Sequence, residues 1–234
     1  KGFLRLPLLK KFELDINFVK NEDWALLERF LRQQTNLESF TLHISKKTYS
    51  KARYLQQKVC LENVIKALEN KPFLRSIRMG STYWSLETLS QGFSHLTMKN
   101  QLHTLKIEAS DDSITTDAKA YKRVEGICNF IKNQKDSLRK LEITLPLALD
   151  DNIVTHLAEA IFHTTQLTDL YLWINYGYQY EFEDIAWYFE DFLQRGIPKK
   201  SQKELKTSKA WNPTLAKYFK RLEHLENFIF YFDM

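Results

Sequence analysis

One phrase recurs along this chain and limits what it can fold into: a leucine, two residues, then apolar residues at every second position. It reads Leu9, Phe12, Leu14, Ile16, then Leu37, Phe40, Leu42, Ile44, then Leu74, Ile77, Met79 with Ser81 in the last slot. It continues as Leu102, Leu105, Ile107, Ala109; Leu138, Leu141, Ile143, Leu145; Leu167, Leu170, Leu172, Ile174; and Leu225, Phe228, Phe230, Phe232. The leading leucines stand 28, 37, 28, 36, 29 and 58 residues apart. Because 58 is twice 29, the spacing predicts a degenerate repeat slot between Leu167 and Leu225. Alternation at period two makes each phrase a strand with one buried face.

Between the phrases the period becomes that of a helix. Trp24, Leu27, Phe30 and Leu31 share one face, as do Leu61, Val64, Ile65 and Leu68, and Leu86, Leu89, Phe93 and Leu96. Tyr121, Val124, Ile127, Cys128 and Ile131 follow the same spacing, then Ile153, Leu157, Ala160 and Ile161. Ile185, Tyr188, Phe189, Phe192 and Leu193, and then Leu215, Tyr218, Phe219 and Leu222 after Asn212–Pro213, predict two more helices. A strand, a short link and a helix, repeated, predict a right-handed βα solenoid, because parallel crossovers are right-handed and no single repeat can bury its strand face alone.

These phrases resemble the leucine-rich-repeat family, in its ribonuclease-inhibitor-like branch. The resemblance implies a horseshoe with a curved parallel sheet and full helices on the convex side. It covers nearly all of residues 1–234, read as one domain with an irregular basic segment at about 196–212. An ordinary α/β sandwich would need the spacing to be coincidence seven times. The family's pattern continues to an asparagine after the strand. Asn17 and Asn175 stand there, but Ser45, Ser110 and Pro146 take the place elsewhere, so regular curvature is not implied. A chain opening on Lys1 and closing on a strand-like run reads as a piece of something longer.

Two stretches break the rhythm. Ser45–Gln57 lengthens one repeat and carries Lys46, Lys47, Lys51 and Arg53. Gly196–Asn212 carries Lys199, Lys200, Lys203, Lys206 and Lys209 against one acid, Glu204, and reads as an insertion, a degenerate repeat or a gap. Such lysines suit an acidic partner, or RNA through its phosphates as the less favoured reading; solvated loops are the plainer one. The net charge of +5 permits an acidic partner without demanding one.

Chemistry is sparse. The six glycines, at 2, 80, 92, 126, 177 and 196, make no phosphate-cradling loop. His43, His95, His103, His156, His163 and His224 form no metal-binding spacing, although His156 and His163 could share a helix face. Asp111, Ser113 and Asp117 lack the glycine and the glutamate of a calcium loop, with Lys122 in the glutamate's place; like Asp150 and Asp151 they read as helix caps. Cys60 and Cys128 read as structural thiols in a reducing compartment, so the expected home is intracellular and cytoplasmic. No apolar run is long enough to cross a membrane. The sequence therefore predicts no enzyme, no cofactor and no metal.

Binding is expected on the outward face of the strands. Its columns run Lys11, Ser39, Ser76, Thr104, Lys140, Asp169, Asn227; then Glu13, Thr41, Arg78, Lys106, Glu142, Tyr171, Ile229; then Asp15, His43, Gly80, Glu108, Thr144, Trp173, Tyr231. Tyr171, Trp173, Ile229 and Tyr231 gather large residues at one end, the composition of an interface centre, and are the predicted partner-binding residues; the plainer readings are that Gly177–Phe182, with Tyr178 and Tyr180, folds over them, or that further repeats or a terminal cap cover Ile229 and Tyr231. Lys140 is expected to matter less. The functional expectation is a non-catalytic protein-interaction scaffold, a structural subunit of a larger assembly. The alternatives are the substrate-recognition repeats of a ubiquitin-ligase adaptor and, below that, a GTPase-activator-like regulator.

Overall fold

A computed structural model describes residues 8–16, 21–44, 51–81, 84–109, 122–146, 151–175 and 224–233. The elements run β1 (Lys11–Ile16), α1 (Asn21–Gln33), β2 (Ser39–Ile44), α2 (Lys51–Lys66), β3 (Ser76–Ser81) and α3 (Leu86–Phe93). There follow β4 (Thr104–Glu108), α4 (Lys122–Asn133), β5 (Lys140–Pro146), α5 (Asp151–Phe162), β6 (Asp169–Asn175) and β7 (Asn227–Asp233). The seven strands form one parallel sheet in the order β1-β2-β3-β4-β5-β6-β7. Each lies on its phrase, and the phrases are in register: Phe12, Phe40, Ile77, Leu105, Leu141, Leu170 and Phe228 stand side by side across the sheet.

The core lies between one face of this sheet and a row of helices, each packed on the next. The apolar strand positions and the apolar helix faces meet there: Leu105, Leu141, Ile65, Phe93 and Ile131 are fully buried. Two close approaches depend on glycine. A Cβ on Gly126 of α4 would stand 1.9 Å from the Ser90 carbonyl oxygen of α3, and the Gly126 N–H donates to Ser90 Oγ at 2.9 Å. On the sheet's other face, His43 and Glu108 close over Gly80, each within 3.0 Å of where a Cβ would be.

One backbone arrangement recurs at every strand start. The carbonyl before each strand accepts two N–H groups from the residues opening the next. Lys10 O accepts from Glu38 and Ser39, Arg75 O from His103 and Thr104, and Arg139 O from Thr168 and Asp169. Thr168 O accepts from Glu226 and Asn227, so β7 continues the series unchanged.

A second set of bonds ties helix ends to strand starts, and nothing in the apolar phrase announces it. Gln34, just past α1, accepts the Leu9 N–H at 2.8 Å. Gln134, just past α4, accepts the Gln101 and Leu102 N–H groups, both at 2.9 Å, and donates to the Met98 carbonyl at 2.6 Å. Leu9 and Leu102 are leading leucines, so the same bond closes two repeats. Lys71 and Thr164 are buried at the corresponding corners of two others; Lys71 donates to the Arg32 carbonyl at 3.2 Å. Burial, then the neighbouring Arg32 charge, hold the Lys71 ammonium below its ordinary value. Buried backbone groups must be satisfied, and these side chains do it where the helical ladder has ended.

Two expectations need correction. Ser45–Gln57 is not wholly irregular, since α2 begins at Lys51 and runs 16 residues; a longer helix helps account for the longer repeat. The sheet also has no slot for a degenerate repeat between Leu167 and Leu225, because β6 and β7 are hydrogen-bonded neighbours with Tyr171 opposite Ile229. The predicted helices at Ile185–Leu193 and Leu215–Leu222, the segment at about 196–212, and Asp111, Ser113, Asp117 and Asp150 lie outside the described residues.

Candidate functional site

Because side chains alternate along a strand, burying one set aims the other outward. The strand register lines up all three expected outward columns. The face is divided by chemistry. At the β1 end, His43 Nδ1 lies 3.3 Å from Asp15 Oδ1. In the middle, Lys106 of β4 is ion-paired with Glu142 of β5. Near the other end, Asn227 donates to Asp169 at 2.8 Å.

At the β6 end the aromatics begin. Trp173 is 42% exposed, and Tyr171 beside it is half-buried. Lys140 Nζ lies 4.7 Å from the centre of the Tyr171 ring, a cation–π distance. Lys140 is therefore in contact with the aromatic patch, where the sequence places it on the polar part of the same face. The backbone places Ile229 opposite Tyr171 and Tyr231 opposite Trp173. The side chains of Ile229 and Tyr231 lie outside the described residues, as do Lys199, Lys200, Lys203, Lys206 and Lys209.

The thiols are not arranged for nucleophilic chemistry. Burial pushes the Cys128 thiol up to about 12, and burial followed by the Glu28 charge raises that of Cys60. Both therefore stay protonated near neutrality. Cys60 is only partly buried, on the outer flank of the α2 apolar face. His163 lies past the end of α5, so it does not share a helix face with His156. Among the described residues no three His, Cys, Asp or Glu side chains are grouped to hold a metal, and no helix is long and apolar enough to cross a membrane.

Sequence reasoning found the outward columns but missed two features of them. The stacking of Lys140 on Tyr171 is a diagonal contact between strands, which no spacing along the chain encodes. A row of basic residues at the strand starts lies outside the alternating phrase and was passed over for that reason. Comparison with known protein families, curated proteins and solved structures finds no match for this chain.

Proposed function

We propose that this chain is a leucine-rich-repeat solenoid of the ribonuclease-inhibitor-like type that holds another protein on the outward face of its sheet. The repeat reading is supported by the backbone bonds at the strand starts. The same two-amide contact recurs from Lys10 to Thr168 in step with the leading leucines. The binding reading rests on one observation above the others: a tryptophan 42% exposed on a sheet face beside Tyr171, which carries a lysine ammonium over its ring. A ring 42% exposed keeps surface for a partner, and an aromatic that fills a partner's pocket can dominate binding.

The test is quantitative co-purification from cells with the intact protein and its Trp173→Ala and Glu13→Ala variants. Glu13 is exposed on the same face at the far end, which makes it the better control than Lys140. Trp173→Ala is expected to lose the proteins that accompany the parent, and Glu13→Ala to keep them. Equal retention by both variants moves the binding surface elsewhere. Unfolding of Trp173→Ala makes the residue core.

A further inference from the structure

Just before the strands runs a row of side chains that the outward columns do not include. In the order of the sheet it begins Lys10, Glu38, Arg75, His103, Arg139. At its first two positions the charges cancel: Lys10 Nζ lies 2.8 Å from Glu38 Oε1. The next three do the opposite. The His103 N–H donates to the Arg75 carbonyl at 2.8 Å and the Arg139 N–H to the His103 carbonyl at 3.0 Å. The three residues thus stand on successive strands, and the two arginines lie about 10 Å apart with the imidazole between them. All three are exposed. Among the described residues the Arg75 guanidinium donates to carbonyls, those of Pro72 at 3.4 Å and Gln101 at 3.2 Å. Among the described residues no carboxylate pairs with any of the three.

Two arginines with no carboxylate on the strand start between them do less for the fold than a Lys–Glu pair such as Lys10–Glu38. We propose that the Arg75–His103–Arg139 row is a docking surface for an extended acidic segment of a protein partner. The charge pattern selects that occupant. Its fixed cations are the two arginines, with the imidazole between them, and the row is bounded by Glu38 on one side and, past Thr168, by Glu226 on the other, so its length suits a short run of carboxylates and not a continuing phosphate backbone. Phe73, 52% exposed in the turn leading to Arg75, offers an apolar contact at the same edge.

His103 makes this binding depend on protons. Burial, then the charges of Arg75 from the β3 side and Arg139 from the β5 side, hold its imidazole below the ordinary histidine value. A carboxylate on the row favours the protonated ring, so the value is higher in the complex than in the free protein. Binding then takes up a proton, and affinity rises as pH falls through the imidazole range.

The surface rests on the interaction reading but not on its aromatic patch, and the test keeps the two apart. The probe is a fluorescent octaglutamate peptide, titrated by anisotropy against the intact protein between about pH 6 and pH 8. Arg75→Gln and Arg139→Gln are each expected to weaken binding about three- to fivefold, and the double variant about tenfold. His103→Gln should retain binding but flatten its pH dependence. Lys199→Gln/Lys200→Gln/Lys203→Gln, the other charges that suit an acidic partner, should stay within about twofold of the parent, as charge outside a contact contributes mainly to encounter. Unchanged affinity in the double arginine variant overturns the proposal. So does loss confined to the lysine variant, tighter binding of an oligothymidylate of equal charge, or a pH profile that survives His103→Gln. Loss in the arginine variants, with Trp173→Ala harmless to partner binding, removes only the aromatic assignment.

Discussion

Leu141 and Glu142 are neighbours in the chain and belong to opposite economies. Leu141 faces the helices, fully buried between Leu105 and Leu170 of the adjoining strands. Glu142 faces outward, half-buried and paired with Lys106. Apart from Ser81, the described inner positions from β1 to β6 are apolar, because each has the same task of filling the space between sheet and helices. The outward face changes from an acid–histidine pair at β1 to aromatics at β6, because nothing in the fold asks it to be uniform. Variation on a surface whose opposite side is packed shows that packing does not set the outward residue types.

The contrast breaks if an inner position proves tolerant. Leu141→Ala removes a fully buried side chain under α4 and α5 and is expected to cost ~2–5 kcal/mol in urea melts. A loss below about half a kcal/mol would contradict the register. Gly126→Ala probes the same interior at the helix row. Its methyl meets the Ser90 carbonyl, so α3 and α4 must part; a loss of ~1–3 kcal/mol by thermal or denaturant unfolding is expected. Gln134→Ala asks whether the corner bonds matter as much as the apolar core. It strands the buried Leu102 N–H and the Met98 carbonyl, and about 1–3 kcal/mol is expected, read by the same melts. Trp173→Ala is the smallest perturbation of folding, within about ±0.5 kcal/mol by calorimetry, as for other exposed positions. Its effect is expected on partner affinity instead, at ~2 kcal/mol or more, which a direct binding titration reads.

The strands were legible because period two is a consequence of the pleat, and a leucine three positions ahead of the alternation marks where each begins. The helix faces of α1 to α5 followed for the same reason at period 3.6. The α2 start was not legible because five of the eight residues from Lys51 to Lys58 are Lys, Arg or Gln, and Ala52, Tyr54 and Leu55 alone do not set a clear apolar period, although the segment continues the helix that Leu61, Val64 and Ile65 anchor. The outward columns were legible as the complement of the buried ones. Their pairings were not: Lys140 over Tyr171, His43 and Glu108 closing over Gly80, and Arg75 beside His103 join residues 28 or more positions apart.

By itself, then, the sequence determined the periodic part of this protein: which residues alternate, which face each strand buries, and the order in which seven strands present their phrases. Tertiary structure decided what periodicity cannot carry. It made β6 and β7 neighbours although 58 residues separate Leu167 from Leu225, since hydrogen-bonded pairing answers to geometry and not to chain length. It set Gln34 and Gln134 on the amides of leading leucines 25 and 32 positions earlier, because a helix that ends in the interior leaves polar groups that only a spatial neighbour can satisfy.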